Sequence, residues 1–298
     1  MAGGCGNGTF FNGERRTFTL DKYQIVGAYC DEDITGTLIT SDKPVAVLSG
    51  HNHKRFVLNS NPLLEMLLPL KSFGRSFVLP DPPTKTGGAI YRVVGSEATT
   101  TVRSPGGMLF SLGKGESQDI YVNSTTGAMY IEADRPVTVV QFTLKLASMA
   151  IVPPTSLFAS DYDISKPVFN PTYDLKNVIV TVIVPTDKVI GLRPQIFPQF
   201  EVIKGSCFSV ATADLSAGFF RLLHVDSVPF GAMMYLSPSV DNYGIFTHPA
   251  GYNLTDDIGK YAEMKTPTVI GALGLVPPDP LAQIRTVPRF SIWSEKVT

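Results

Sequence analysis

The sequence contains few of the residues that metal, redox or membrane-spanning functions require. It has 298 residues but only three cysteines, four histidines and one tryptophan, and no two cysteines form a CxxC pair. No apolar run approaches the ~18 residues of a membrane-spanning helix. Charged residues make up 17% of the chain and the net charge is −1, without the basic stripe of nucleic-acid binders. We therefore predict no cofactor, no membrane span and no nucleic-acid partner.

The residues that are abundant favour a chain of short strands. Apolar residues make up 44% of the sequence, which is enough to form a globular core. The 26 glycines and 23 prolines are spread along the whole length and would interrupt long helices. The first residues lack the basic and apolar regions of a signal peptide. This composition predicts an all-β protein.

A repeat of about 92 residues organises the chain. The segment from Thr35 to Val47 (TGTLITSDKPVAV) recurs from Thr126 to Val139 (TGAMYIEADRPVTV), and a weaker copy includes Pro229. The motif predicts two strands around a tight turn, because proline presets φ and aspartate can bond the turn backbone. The residues of this structural turn motif are Asp42, Lys43, Pro44, Val45, Asp134, Arg135, Pro136, Val137 and Pro229. The valines that follow proline, with Val47 and Val139, are expected to be buried on one face of a strand.

Two further patterns keep the phase of this repeat. The segment Phe18-Thr19-Leu20-Asp21-Lys22 matches residues 110–114 and 200–204. The segments 89–102 and 177–192 each contain two β-rich runs around a turn, and they predict β-hairpins. Each full unit would hold six or seven short strands, which favours tandem β-sandwich-like modules over a β-propeller with two blades per repeat.

The repeat also predicts the domain boundaries. We expect an incomplete first unit at 1–60, a second at 61–150, a third at 151–251 and a tail at 252–298. The first unit lacks a hairpin half, so its strands at 17–50 should have an open edge. Residues 1–16 could fold back over that edge, the tail could supply strands, or the native protein could have more sequence upstream. We expect the last, an N-terminal truncation, with the tail as a partial substitute.

Sequons and cysteines point to an oxidising compartment. Asn7, Asn123 and Asn253 each begin an Asn-x-Ser/Thr glycosylation sequon. Cys5 and Cys30 could form a disulfide there, whereas Cys207 is expected to be a buried structural thiol.

Catalytic and metal-binding patterns are weak. His51 and His53 could share one face of a strand and bind a metal, but ordinary loop histidines are the better interpretation. The acidic residues near the first motif are expected to be solvated turn carboxylates, because their spacing is not that of a calcium loop. They are Asp21, Asp31, Glu32 and Asp33. There is no Gly-x-Ser-x-Gly nucleophile motif, so we predict no catalytic residues.

Several segments in the same order resemble a known family. They are Asp33–His51 (DITGTLITSDKPVAVLSGH), Glu65–Pro69, Phe73–Val78, Phe230–Tyr235, Asn242–Gly244 and Pro249–Gly251. This arrangement, over residues 17–251, resembles the N-terminal domain of IgGFc-binding protein. The resemblance implies a secreted, mucus-associated or adhesive module, and the family name implies an immunoglobulin Fc partner. The family's cysteine pair after Ser-Gly-His is missing from residues 52–61, and the 298 residues contain no cysteine-rich von Willebrand D-type module.

The predicted function is therefore non-enzymatic recognition of a protein or glycoprotein in mucus or matrix. A carbohydrate-binding module is an alternative, in which aromatic side chains would stack on sugars. The candidates are Tyr91, Tyr121, Tyr130, Tyr235, Tyr243 and Trp293. A second alternative is an all-β hydrolase whose two carboxylates come from different modules.

Overall fold

A computed structural model describes most of the chain. The described residues are 2–5, 8–11, 14–28, 30, 33–55, 60–83, 86–145, 147–165, 175–215, 219–238, 245–254, 268–270 and 290–296. Within these ranges the regular structure is almost entirely β, so the all-β prediction is confirmed.

The first strands are β1 (Ala2–Cys5), β2 (Gly8–Phe11), β3 (Ile25–Ala28), β4 (Leu38–Thr40), β5 (Val45–Arg55), β6 (Ser60–Met66), β7 (Gly74–Leu79) and β8 (Ala89–Gly95). The next are β9 (Thr100–Ser104), β10 (Gly107–Leu112), β11 (Ser117–Val122), β12 (Met129–Thr143), β13 (Ser148–Val152), β14 (Asp161–Ser165), β15 (Leu175–Pro185) and β16 (Leu192–Arg193). The last are β17 (Glu201–Val202), β18 (Phe208–Asp214), β19 (Phe219–His224), β20 (Gly231–Pro238), β21 (Phe246–Pro249), β22 (Thr268–Ile270) and β23 (Phe290–Lys296). Short 3-10 turns cover Leu70–Ser72, Thr155–Leu157 and Thr186–Gly191.

Strands β7 to β13 form one sheet, which we call module two. Its order is β10-β9-β12-β8-β11, and β7 and β13 add to the long strand β12. Alternate residues of β8 and β12 point into this module's own core, which contains Phe77, Tyr91 and Val139. The module therefore has a complete set of strands from one stretch of chain.

Strands β14 to β21 form module three, which has two sheets. The order of the larger sheet is β17-β18-β15-β20-β21, and that of the smaller is β14-β19-β16. Its core includes Val180, Leu222 and Phe230, all with no measurable exposure. The pairing of β15 with both β18 and β20 repeats that of β8 with β11 and β12.

Module one combines strands from both ends of the sequence. Its sheets are β3-β23-β5-β6 and β22-β4. Strand β23 pairs with β3 and β5, so Phe290–Lys296 takes the place that β8 holds in module two. The tail thus supplies two strands to this module. The sandwich description and the exact domain boundaries stay predictions.

The two predicted hairpins are wrong. Strand β12 lies between β8 and β9, and β15 pairs with β18 and β20 instead of its sequence neighbour. A long strand that pairs on both edges can bury two neighbours at once, and this non-local pairing outweighs the local turn signal. Only the 3-10 turns are helical among the described residues, and none of them has the length or hydrophobicity to cross a membrane.

Candidate interaction surface

An ion-pair network joins module one to module two. Arg92 on β8 donates from Nε and Nη2 to the two carboxylate oxygens of Asp119 on β11, at 2.7 and 2.9 Å. Its Nη1 donates to Asp33 Oδ2 at 3.0 Å. Nearby, Gly36 has φ +89°, and a Cβ there would lie 2.1 Å from the carbonyl oxygen of Gly115. The bidentate pair with Asp119 lies within module two and orients the guanidinium, whose side chain is only 6% exposed, so that its Nη1 can bond Asp33 of module one.

A buried amide joins module two to module three. Gln141 Nε2 on β12 donates to Tyr91 Oη at 2.5 Å and to Tyr235 Oη at 2.9 Å. Tyr91 in turn donates to the carbonyl oxygen of Pro80. Burial raises the pKa of both phenols, so they stay neutral donors at physiological pH.

A half-buried carboxyl lies where module one meets β13. Glu65 on β6 accepts the N–H of Met66 at 3.1 Å and that of Ile151 on β13. Burial raises its pKa to about 7, which outweighs the opposite effect of these hydrogen bonds. Tyr252 is close enough that Glu65 raises the pKa of its phenol further, after burial itself. This carboxyl therefore changes charge near neutral pH.

An open groove lies between β10 and β11 of module two. Among the described strands, β10 pairs only with β9 and β11 only with β8, so the two edges face each other without pairing. They diverge from the turn at 113–116, where Glu116 Oε2 accepts the N–H of Gly113 at 2.7 Å. The space between them is about 460 Å³. It is lined by Leu109, Phe110, Gln118, Asp119 and Ile120.

The side chains around this β10–β11 groove are mainly apolar. Met108 is 58% exposed, Leu109 39% and Tyr121 52%. The carboxylate of Asp119 is already paired with Arg92, so it adds no free charge to the groove. Unpaired backbone groups beside apolar side chains are the features that bind an extended peptide at a sheet edge.

A family model described as IgGFc binding protein matches residues 2–235 of the chain. This chain belongs to the IgGFc-binding protein family. The human protein named IgGFc-binding protein is 25% identical over 272 residues, which cover 85% of this chain. The matched region is only 5% of the length of that relative. No solved structure matches.

The proline motif takes a different form in each module of this family member. Pro44 precedes β5 and Pro229 lies between β19 and β20, but Pro136 lies inside the continuous strand β12. The predicted turn at Pro136 is therefore wrong. The register of β12 against β7 shifts between Glu132 and Val137, and a bulge tolerates a proline that cannot donate to the ladder.

The charged residues of the second motif form hydrogen bonds with β9 and with the loop before it. Asp134 Oδ1 accepts the N–H of Thr101 at 2.8 Å, and this bond lowers the pKa of Asp134. Arg135 Nη1 donates to Glu97 Oε2 at 2.6 Å. Sequence reasoning missed both contacts because their partners lie more than thirty residues away.

The valines of the motif mostly lie in the core. Val47, Val137 and Val139 are at most 1% exposed, whereas Val45 is half-buried. In the first motif Asp42 and Lys43 are exposed and form a bend between β4 and β5.

The cysteines differ from expectation at one position. Cys207 is exposed with a free thiol, because it lies in the turn before β18, so the predicted burial is wrong. Cys30 is 4% exposed and disulfide-bonded. Cys5 lies in β1, but its side chain is outside the described residues, so its pairing with Cys30 stays a prediction.

The predicted loop position of the histidine pair is wrong. Both residues lie in β5, and His51 is 5% exposed; the side chain of His53 is outside the described residues. Asp33 is an exposed turn carboxylate, as predicted: its Oδ1 accepts the N–H of Thr35 at 2.9 Å, while its Oδ2 pairs with Arg92. Asp21 is exposed, while Asp31 and Glu32 lie outside the described residues. In the described part of the chain, no group of three or more potential ligands could hold a metal ion.

The described sequon asparagines are exposed, whereas most of the described candidate tyrosines are buried or half-buried. Asn123 and Asn253 are exposed, and Asn7 lies outside the described residues. Tyr91 and Tyr235 are completely buried and cannot stack on a sugar. Tyr121 is exposed and Tyr130 half-buried, whereas the side chains of Tyr243 and Trp293 are outside the described residues.

Proposed function

We propose that this chain is a non-enzymatic recognition module of a secreted protein, which binds a protein or glycoprotein partner in mucus or matrix. Membership of the IgGFc-binding protein family supports a binding role. The name of the human relative, IgGFc-binding protein, makes the immunoglobulin Fc region the first partner to test. The binding surface that we propose is the β10–β11 groove.

The open edges of the groove carry this proposal. In module three, the corresponding strands β17 and β18 pair with each other through Glu201 and Val202. In module two, β10 and β11 do not pair, and Met108, Leu109 and Tyr121 stay exposed beside them. An extended segment of a partner could bond both edges and cover these side chains.

A protein partner fits this surface better than a sugar. Of the tyrosines proposed for stacking, only Tyr121 is largely exposed among those described. A single ring next to methionine and leucine resembles the mixed apolar centre of a protein interface more than a row of stacking rings. The carbohydrate-binding and hydrolase alternatives therefore have less support.

Binding to immobilised Fc, measured by biolayer interferometry beside a glycan array, tests the proposal. Leu109→Asp should weaken Fc binding at least about tenfold, because it places a charge in the groove. Ile190→Asp is the matched control, since Ile190 is 77% exposed on module three and should leave binding unchanged. Equal losses of Fc binding in both variants would contradict the assignment of the groove as the binding surface. Glycan binding without Fc binding would favour the carbohydrate alternative.

A secreted protein can have N-glycans and disulfide bonds, and we make one proposal about each. We propose N-glycans at Asn7, Asn123 and Asn253, and a disulfide between Cys5 and Cys30. Asn123 supports the first, because it is exposed in the turn between β11 and β12. Its Oδ1 accepts the N–H groups of Thr125 and Thr126, at 2.9 and 3.1 Å, and orders the sequon. Mass spectrometry before and after glycosidase treatment of the secreted chain tests each site. Unmodified Asn123 would contradict its assignment.

A further inference from the structure

Two small sheets at module one each have an open edge. Strands β1 and β2 form a two-stranded hairpin, and among the described strands neither pairs with any other. Strand β4 pairs only with β22 within the same described part of the chain. Two-stranded sheets are marginally stable by themselves, and their open edges favour further pairing.

The edge of β4 is occupied at the corresponding place in the other modules. In module two, β12 pairs with β7 on one edge and with β9 on the other, where Glu132 lies opposite Arg103. In module three, β19 pairs in the same way with β14 and β16. Strand β4 has the first partner, β22, but lacks a counterpart of β9 and β16.

The repeat phase identifies a segment that fits this edge. A displacement of 92 residues, the spacing of Pro44 and Pro136, places Gly8–Phe11 on β9. Phe10 then takes the position of Val102, which is completely buried. The same displacement places Phe11 opposite Thr40, as Arg103 lies opposite Glu132. Strand β2 therefore has the length and repeat phase of a β9 counterpart, with an apolar residue at the position of Val102.

The chain that follows β2 also has exposed apolar residues. Phe18 is 53% exposed, whereas its equivalents Phe110 and Phe200 pack against the cores of their modules. Leu38 on β4 is 44% exposed. A strand docked on β4 would bury apolar surface of Leu38.

We propose that the hairpin β1–β2 docks in its own chain, through the free edge of β2, onto the free edge of β4. The four strands β1-β2-β4-β22 then form one sheet, in which β2, β4 and β22 take the places of β9, β12 and β7 of module two and β1 forms the outer edge. The hairpin itself stays intact, because β2 pairs with β1 on its other edge. This surface is distinct from the β10–β11 groove and does not depend on the proposed Fc binding.

Engineered cysteines test the docking in the full-length chain. The variant Phe11→Cys/Thr40→Cys, made with Cys207→Ser to remove the free thiol, should form a disulfide within one chain under mild oxidation. Intact-mass spectrometry after alkylation should show no free thiol, and a non-reducing gel should show a monomer. Tandem mass spectrometry should assign the new bond to positions 11 and 40. The matched control is Phe11→Cys/Thr212→Cys, also made with Cys207→Ser, because Thr212 is exposed on module three. This control variant should keep two free thiols.

Hydrogen exchange supplies a second measurement that needs no new bond. Deletion of residues 1–11 should raise amide exchange at Leu38–Thr40 by on the order of tenfold, while exchange at β8 is unchanged. The variant Cys30→Ser separates the effect of the disulfide from that of the hairpin. Free thiols at both engineered positions, a bond between two chains, or unchanged exchange at β4 would each overturn the proposal.

Discussion

Modules one and two contain the same proline motif but are assembled from different parts of the chain. Module two takes all its strands from residues 74–152, whereas module one needs β22 and β23 from the far end of the sequence. Strand β23 pairs with β5 over seven residues, as β8 pairs with β12. A shared motif therefore specifies the local strand arrangement but does not specify which segment completes the sheet.

The largest effect is expected from interrupting the tail strand. Ile292 pairs with Ala28 on β3 and with Ser49 on β5, so Ile292→Pro removes a ladder donor at the centre of the sheet. We expect a loss of at least about 2–3 kcal/mol of unfolding free energy, concentrated in module one. Hydrogen exchange should show deprotection of β3 and β5 but not of β8.

The matched control for this change is Ile292→Val, which keeps the backbone donor and the branched side chain. It should retain protection in both modules. If Ile292→Pro deprotected β8 as strongly as β5, the two modules would unfold as one unit and the comparison would fail.

The next effect depends on pH and concerns Glu65. Its folded pKa of about 7 lies above the ordinary value of 4.5 for the unfolded chain. The contribution of Glu65 to the unfolding free energy is therefore fully present below about pH 4.5. It declines as the pH rises to about 7, because the carboxyl of the unfolded state loses its proton first. The total decline is at most about 3 kcal/mol, less the screening by solvent at this half-buried site.

Glu65→Gln should remove that decline and make the protein more stable than the wild type above pH 7. Denaturant unfolding at pH 4.5, 6 and 8 would measure the difference. Asp42→Asn, at an exposed bend residue between β4 and β5, should leave the pH profile parallel to that of the wild type. Equal profiles for wild type and Glu65→Gln would show that this carboxyl ionises as freely when folded as when unfolded.

A smaller loss is expected where module two meets module three. Gln141→Leu removes the donor to Tyr91 and Tyr235 and leaves the buried phenol of Tyr235 without that bond. Loss of a buried hydrogen bond costs about 1–3 kcal/mol, so the melting temperature should fall. Gln118→Leu, at an exposed position on β11, is the control and should change it little. An unchanged melting temperature for Gln141→Leu would contradict a stabilising role for the amide.

The sequence predicted what depends on local patterns. Alternation around Val137 and Val139 predicted buried strands, and the dense glycines and prolines predicted an all-β fold. The pairing of β8 with β12 was missed, because it joins residues about 50 positions apart whose turn signals favour a local hairpin. Arg92 was missed for the same reason: its partners Asp119 and Asp33 come from two separate segments. Single-sequence patterns contain no direct record of such contacts.

The smallest effects on stability are expected from replacing the two equivalent phenylalanines, Phe110 and Phe18, with alanine. Phe110→Ala should cost about 1–2 kcal/mol, because Phe110 is partly buried against the core of module two. Phe18→Ala should cost less than about 0.5 kcal/mol, because Phe18 is 53% exposed. Denaturant unfolding of both variants measures the contrast directly. A loss at Phe18 as large as that at Phe110 would mean that Phe18 is covered in module one as Phe110 is in module two, and the contrast between the two modules would fail at this position.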